Sequence, residues 1–129
     1  MPKDIEEIKR PNIIKIDDVE YVRSDKVLLP AAIENGMKYA IVRTYSAGVF
    51  AGYIEGRNGQ EVVMLKARRI WYWEGAASLS QLAMEGTNKP EACKFPIAVD
   101  RVELLQAIEI LDCTEKARQS IQGVRIWQK

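Results

Sequence analysis

The sequence predicts an α+β domain: an antiparallel β-sheet with a meander core, and two short α-helices in the C-terminal half. Three observations carry this reading. Residues 39–73 hold three runs rich in β-branched and aromatic residues, separated by Ser46-Ala47-Gly48 and Asn58-Gly59; short turns between such runs make antiparallel hairpins. Ser78, followed three positions later by Gln81, forms a capping box ahead of an apolar helical stripe. Thr114 opens a second helical segment, which Gly123 closes.

Taken in order, residues 1–10 are mostly charged and predict a short helix or frayed arm that Pro11 ends. Residues 12–17 alternate as a strand, and Asp17-Asp18 can turn the chain into a second short strand over 19–23. A helical turn or loop through Pro30, Ala31 and Ala32 leads to the turn signal Asn35-Gly36. Residues 1–36 therefore read as an N-terminal attachment of a single domain, 1–129, whose core fold spans 37–129. The core strands are expected over 39–45, 49–55 and 60–73, with a type I′ turn at Asn58-Gly59 because both residues tolerate positive φ. Leu79, Leu82 and Ala83 then share one helix face, and Gly86 stands at the C′ position. Residues 93–99 read as extended, with Pro96 demoting them to a sheet edge. Residues 100–111 fit either a helix through Leu104, Leu105, Ile108 and Leu111 or a strand. A bent strand is favoured, since the segment leads into a capped helix with no Gly or Pro to reverse the chain. Residues 124–127 can return as a final strand.

Composition bounds the chemistry. The 129 residues are enough for one domain with a real core, and 47% apolar with 29% charged residues describes an ordinary globular protein. A net charge of +1 argues against bulk electrostatic capture of duplex DNA or an anionic membrane, while leaving room for a local basic patch. There is no histidine, which excludes Ser-His-Asp and Cys-His catalysis, His-ligated zinc and any imidazole switch. Cys93 and Cys113 form no CxxC pair, and the charged N-terminus lacks the apolar region of an export signal. The expectation is buried free thiols in a reducing cytoplasm.

No P-loop or dinucleotide-binding fingerprint is present, and the glycines at 48, 52, 56 and 59 are explained by hairpin turns. Arginine and aromatic residues interleave instead. Lys66-Ala67-Arg68-Arg69-Ile70-Trp71-Tyr72-Trp73 packs three bases and three aromatic residues into eight positions. In a regular strand Arg69, Trp71 and Trp73 share one face, which could stack an adenine and grip a phosphate; Arg68, Ile70 and Tyr72 share the other. The plainer alternative is that these tryptophans fill the core. Arg43 with Tyr45, Asn88 and Lys94 on the loop side of the first capped helix, and Arg125 beside Trp127 extend the candidate ligand-binding set. Each also has a plain reading as a solvated or packing residue. Cys113, just before a helix N-terminus, is the one thiol a helix dipole could activate, with Lys116 or Asp112 as base. No acidic cluster has metal-ligand spacing, so neither cofactor nor metal is expected.

The motifs YAIVRTYSAGVFAGY (39–53), ARRIWYWEGAASLSQLAMEG (67–86), KPEACKFPI (89–97) and EILDCTEKA (109–117) resemble a family of small phage proteins, and IIKIDDVEYVR (13–23) is similar to N-terminal pieces on such proteins. The chain further resembles the first-described family of phage anti-Thoeris proteins, sponges that sequester cyclic ADP-ribose-type immune signals without degrading them. That resemblance implies a non-enzymatic protein in the cytoplasm of the bacterial host cell, working as a homodimer or higher oligomer with ligand pockets between subunits. It also implies sites for cyclic oligonucleotides as well as cyclic ADP-ribose isomers. It transfers no individual ligand-contacting residue. The candidate set therefore remains Arg43, Tyr45, Arg68, Arg69, Trp71, Trp73, Asn88, Lys94 and Arg125.

A sponge needs stacking surfaces and cationic donors and no general base. The alternatives are a single-stranded nucleic-acid binder using the Trp71/Trp73 face, a host-interaction protein with no small-molecule ligand, and, last, an enzyme. On the sponge reading, Arg69→Ala or Arg43→Ala is expected to weaken ligand binding without unfolding the protein.

Overall fold

The computed structural model describes residues 15–16, 19–20 and 29–129; the expected arm over 1–10 lies outside them. Two short strands, β1 (Lys15–Ile16) and β2 (Val19–Glu20), pair antiparallel with Lys15 opposite Glu20. The Asn35-Gly36 turn forms as expected, with φ of 52° and 80° and Glu34 and Met37 exchanging hydrogen bonds of 3.0 and 2.9 Å. Two successive positive φ values are the signature of type I′.

The main sheet has five strands: β3 (Tyr39–Thr44), β4 (Val49–Asn58), β5 (Glu61–Arg69), β6 (Val99–Leu104) and β7 (Ala107–Asp112). All pairings are antiparallel, in the order β6-β5-β4-β3-β7. The helices α1 (Leu79–Glu85) and α2 (Glu115–Gly123) follow late in the chain, so the α+β architecture with a meander core is as the sequence predicts. Ser78 and Thr114 cap them through side-chain oxygens that accept from the Gln81 and Ala117 amides, and a 3-10 turn spans Pro90–Ala92.

The strand order forces the sheet to curl. β6 and β7 are its opposite edges, yet only Leu105 and Gln106 connect them. In a flat sheet four inter-strand spacings would separate these edges by roughly 19 Å. Two linking residues reach at most about 11 Å at ~3.8 Å per Cα step. The Gln106 carbonyl accepts from the Tyr45 amide and the Ala107 amide donates to the Gln60 carbonyl, each at 2.9 Å, drawing both edges and a hairpin tip together. The bend is built where the β4–β5 register shifts around Gly52 and Lys66. A Cβ on Gly52 would lie 2.8 Å from Ala67 Cα, so only glycine lets the strands approach this closely. Lys66, opposite, takes a left-handed φ of 53°.

Curling gives β3 two buried faces. Val42, Phe50, Val62, Met64, Ala67, Leu104 and Ala107 fill the concave side. Tyr39, Ile41, Ala51 and Tyr53 face outward under Leu82, Ala83, Ala117 and Ile121 of the helices. Cys93 and Cys113 are buried and free, as expected.

Four expectations need correction. The third core strand stops at Arg69 and does not reach Trp73, because its partner ends: the Ile70 amide makes a last bond to the Val49 carbonyl, and β4 begins at that residue. The Asn58-Gly59 hairpin has Gly59-Gln60 as its central pair, and Gly59 alone takes positive φ (65°), the pattern of type II′. Residues 100–111 are extended, but as two strands on opposite edges instead of one bent strand. Residues 124–127 form no full strand; Ile126 makes one parallel bridge to Phe95.

Candidate functional site

Three pieces of chain meet beside the C-terminal tail. Tyr72 and Lys94 exchange backbone hydrogen bonds of 3.3 and 2.8 Å, and the Trp127 amide donates to the Phe95 carbonyl at 3.0 Å. This fixes the Lys94 ammonium 5.6 Å from the ring centres of both Tyr72 and Trp127, within cation–π range. The Tyr72 hydroxyl donates to Glu74, which raises its own pKa above the ordinary tyrosine value. A groove of about 1050 Å³ opens against this cluster, with Pro90, Glu91 and Cys93 on one wall and Arg125, Trp127 and Lys129 on the other. Trp127 lines the groove and keeps 40% of its surface exposed. The groove thus offers an indole and two cationic side chains, Arg125 and Lys129, with Lys94 beside the indole.

The remaining sequence-predicted residues scatter. Arg43 is exposed and its Nε donates to Glu109 on β7 at 2.9 Å. Tyr45, 75% exposed, stands just past the end of β3. Arg69 donates to the Ala47 carbonyl and lies 4.3 Å over the Phe50 ring, so its charge is already engaged at the same hairpin. Asn88 is exposed, its backbone amide donating to the Gly75 carbonyl at 3.3 Å. Of the set, Arg125 alone lines the groove, and Lys94 lies next to it through its contact with the Trp127 ring.

The continuous Arg69/Trp71/Trp73 face does not form. Trp71 is 61% exposed, whereas Trp73 packs against the core under the helices and donates from Nε1 to the Ala76 carbonyl at 3.1 Å. Strand alternation ends with the strand at Arg69, so the two indoles part company.

Arg68 is only 6% exposed and is held by three carbonyls: Nε donates to Pro96 (3.0 Å), Nη2 to Phe95 (3.0 Å) and Nη1 to Ile121 (2.8 Å). Ile121 lies in the last turn of α2, where orphan carbonyls and the helix dipole favour a cation. Burial pushes the Arg68 pKa below the ordinary arginine value. Cys113 also differs from what its place before a helix suggests. Burial, reinforced by Asp112, pushes its thiol up to about 12, so it stays protonated and unreactive. Among the described residues no group of three or more His, Cys, Asp or Glu could hold a metal ion.

Tyr72 and Trp127 are the site residues that sequence reasoning left out of its set. The local signal for Trp127 was its place beside Arg125; the pairing of Tyr72 with Lys94 is long-range and has no local signature.

A model of a family described as a domain of unknown function, DUF6948, matches residues 37–121. No curated protein and no solved structure matches the chain. No helix among the described residues is long and apolar enough to cross a membrane.

Proposed function

We propose that this chain, which belongs to the DUF6948 family of domains of unknown function, is a non-catalytic binding protein that holds a nucleotide signal intact. Following the resemblance to phage anti-Thoeris sponges, the ligand class is a cyclic ADP-ribose isomer or a cyclic oligonucleotide. The setting is the cytoplasm of an infected bacterium, with the protein acting as a homodimer or higher oligomer.

The observation that supports this most is the Lys94 ammonium 5.6 Å from both the Tyr72 and Trp127 rings, where Trp127 also lines the groove. An exposed indole can stack a purine, a contact worth about 1–3 kcal/mol. Lys94 and Arg125 supply a point charge and a planar fork for phosphate oxygens. The groove, about 1050 Å³, is at the upper end of the ~300–1000 Å³ range of small-ligand sites. Arg43 and Arg69 are weaker candidates because neither lines the groove, Arg43 being paired with Glu109 and Arg69 held at the Ala47 carbonyl and the Phe50 ring.

The test is equilibrium binding of cyclic ADP-ribose isomers and cyclic di- and trinucleotides to wild type, Trp127→Ala, Lys94→Ala and Arg43→Ala. Loss of the indole or the ammonium is expected to weaken binding roughly tenfold or more, with Arg43→Ala close to wild type. Absence of binding for every nucleotide, or full binding in both groove variants, refutes the assignment.

A further inference from the structure

The C-terminal tail has a second cavity on its other flank, about 340 Å³, lined by Tyr39, Lys66, Arg68, Ile97, Val124 and Ile126 among others. We propose that this cavity binds a small carboxylate with a compact apolar body, its carboxylate held by Arg68 and the hydroxyl of Tyr39.

Two deeply buried residues with polar ends, Tyr39 and Arg68, line this cavity. Tyr39 is 2% exposed, and its hydroxyl has no hydrogen-bond partner among the described residues. Arg68 carries five N–H donors. Three are spent on the Pro96, Phe95 and Ile121 carbonyls, and no carboxylate pairs with it among the described residues. The carbonyls at the end of α2 supply roughly half a negative charge. A buried guanidinium facing only partial charges still lacks a counter-ion, and a buried hydroxyl without a partner lacks an acceptor. One carboxylate answers both.

The rest of the wall selects among anions. Ile97, Ala98, Val124 and Ile126 are apolar, Lys66 already donates to Glu34 at 2.6 Å, and the Gln122 amide oxygen already accepts from Arg118 at 2.8 Å. Inorganic phosphate has no apolar part and would leave these four apolar side chains uncovered. A carboxylate has two oxygens for the Arg68 and Tyr39 donors and an apolar remainder for the walls. The volume, near the lower end of the small-ligand range, suits a compact body. This site shares only Ile126 with the groove and does not rest on the nucleotide reading, so either can fail without the other.

The experiment uses the full chain with isovalerate as probe, isovaleramide as its neutral counterpart and inorganic phosphate as the purely ionic one, read by calorimetry and thermal shift. Expected are a saturable rise in melting temperature with isovalerate, binding of the amide at least tenfold weaker, and no rise with phosphate. Tyr39→Phe, which removes one charge-assisted hydrogen bond and keeps the ring, weakens isovalerate roughly tenfold. Ala98→Leu, which fills the cavity from its exposed wall, abolishes it. The proposal is overturned by no saturable effect of isovalerate up to tens of millimolar, by equal response to the amide, by a response to phosphate alone, or by unchanged affinity in either variant.

Discussion

Gly52→Ala should unpick the bend that lets the sheet curl. The added methyl carbon lies 2.8 Å from Ala67 Cα, 2.9 Å from the Leu65 oxygen and 3.0 Å from the Lys66 oxygen. Comfortable carbon–carbon contact is about 3.5–4.0 Å, so β4 and β5 must part by roughly 1 Å. All three obstacles are backbone, and Lys66 is held at a φ of 53°, so no side chain can swing aside. Overpacking costs about 1–3 kcal/mol. A weakened ladder hydrogen bond adds about 1 kcal/mol. Reduced freedom of the unfolded chain returns about 0.4–1 kcal/mol. The net loss is about 2–3 kcal/mol, or roughly 10 °C in melting temperature for a chain of this size. Urea denaturation reads it as a lower midpoint with an unchanged slope. Gly56→Ala is the matched control: it lies on the same strand, with nothing within 4 Å of its added carbon. Equal midpoints for the two variants would refute the close-approach role of Gly52.

Arg68→Ala should cost about 3–5 kcal/mol, because three carbonyls lose a charged donor, and Arg68→Lys should recover part of this through a single contact. An alanine variant within about 1 kcal/mol of wild type in urea would sink that role. Glu115, held down to about 2 by Arg118, the Ala32 amide and Gln119, ties residues 29–33 to α2. Its native pKa lies below the ordinary 4.5, so its contribution is complete above that value and is lost as pH falls toward about 2. The protection of the Ala32 amide, its exchange rate relative to the intrinsic rate at the same pH, should fall across that window; unchanged protection would contradict the tie. Cys113 has the opposite sign. Its thiol ionises near 9 when unfolded and near 12 when folded, so stability declines as pH rises through that interval. At neutral pH a thiol reagent should modify Cys113 only as fast as the protein unfolds, and a fast burst of reaction would show that the site is accessible.

Local chemistry made much of the fold legible. The capping residues Ser78 and Thr114, the Asn35-Gly36 turn and the β-branched runs of β3 to β5 act through neighbours a few positions away. What escaped depends on distant partners. Ile70 to Trp73 has strand composition, but β4 offers it no further backbone to pair with. The curl places β6 and β7 on opposite edges, and nothing within residues 100–111 announces which edge each will join. Arg68 reads from its neighbours as one of the candidate ligand-binding cations in the basic and aromatic run 66–73. It becomes a buried helix-end cation because the last turn of α2, 53 residues later, arrives over it. The same holds for the site: Lys94 and Arg125 were visible as cations, while the rings beside Lys94, Tyr72 and Trp127, lie 55 residues apart in the chain.

Sequestration is the claim to test most directly. A cyclic ADP-ribose isomer or cyclic oligonucleotide is mixed with excess protein, the free fraction is separated by ultrafiltration, and the retained fraction is heated and assayed by mass. The ligand should vanish from the filtrate and return chemically unchanged after heating, with Trp127→Ala failing to retain it. Ligand left in the filtrate at all protein concentrations, or recovery of a cleaved product, would contradict a protein that binds a nucleotide signal and leaves it intact.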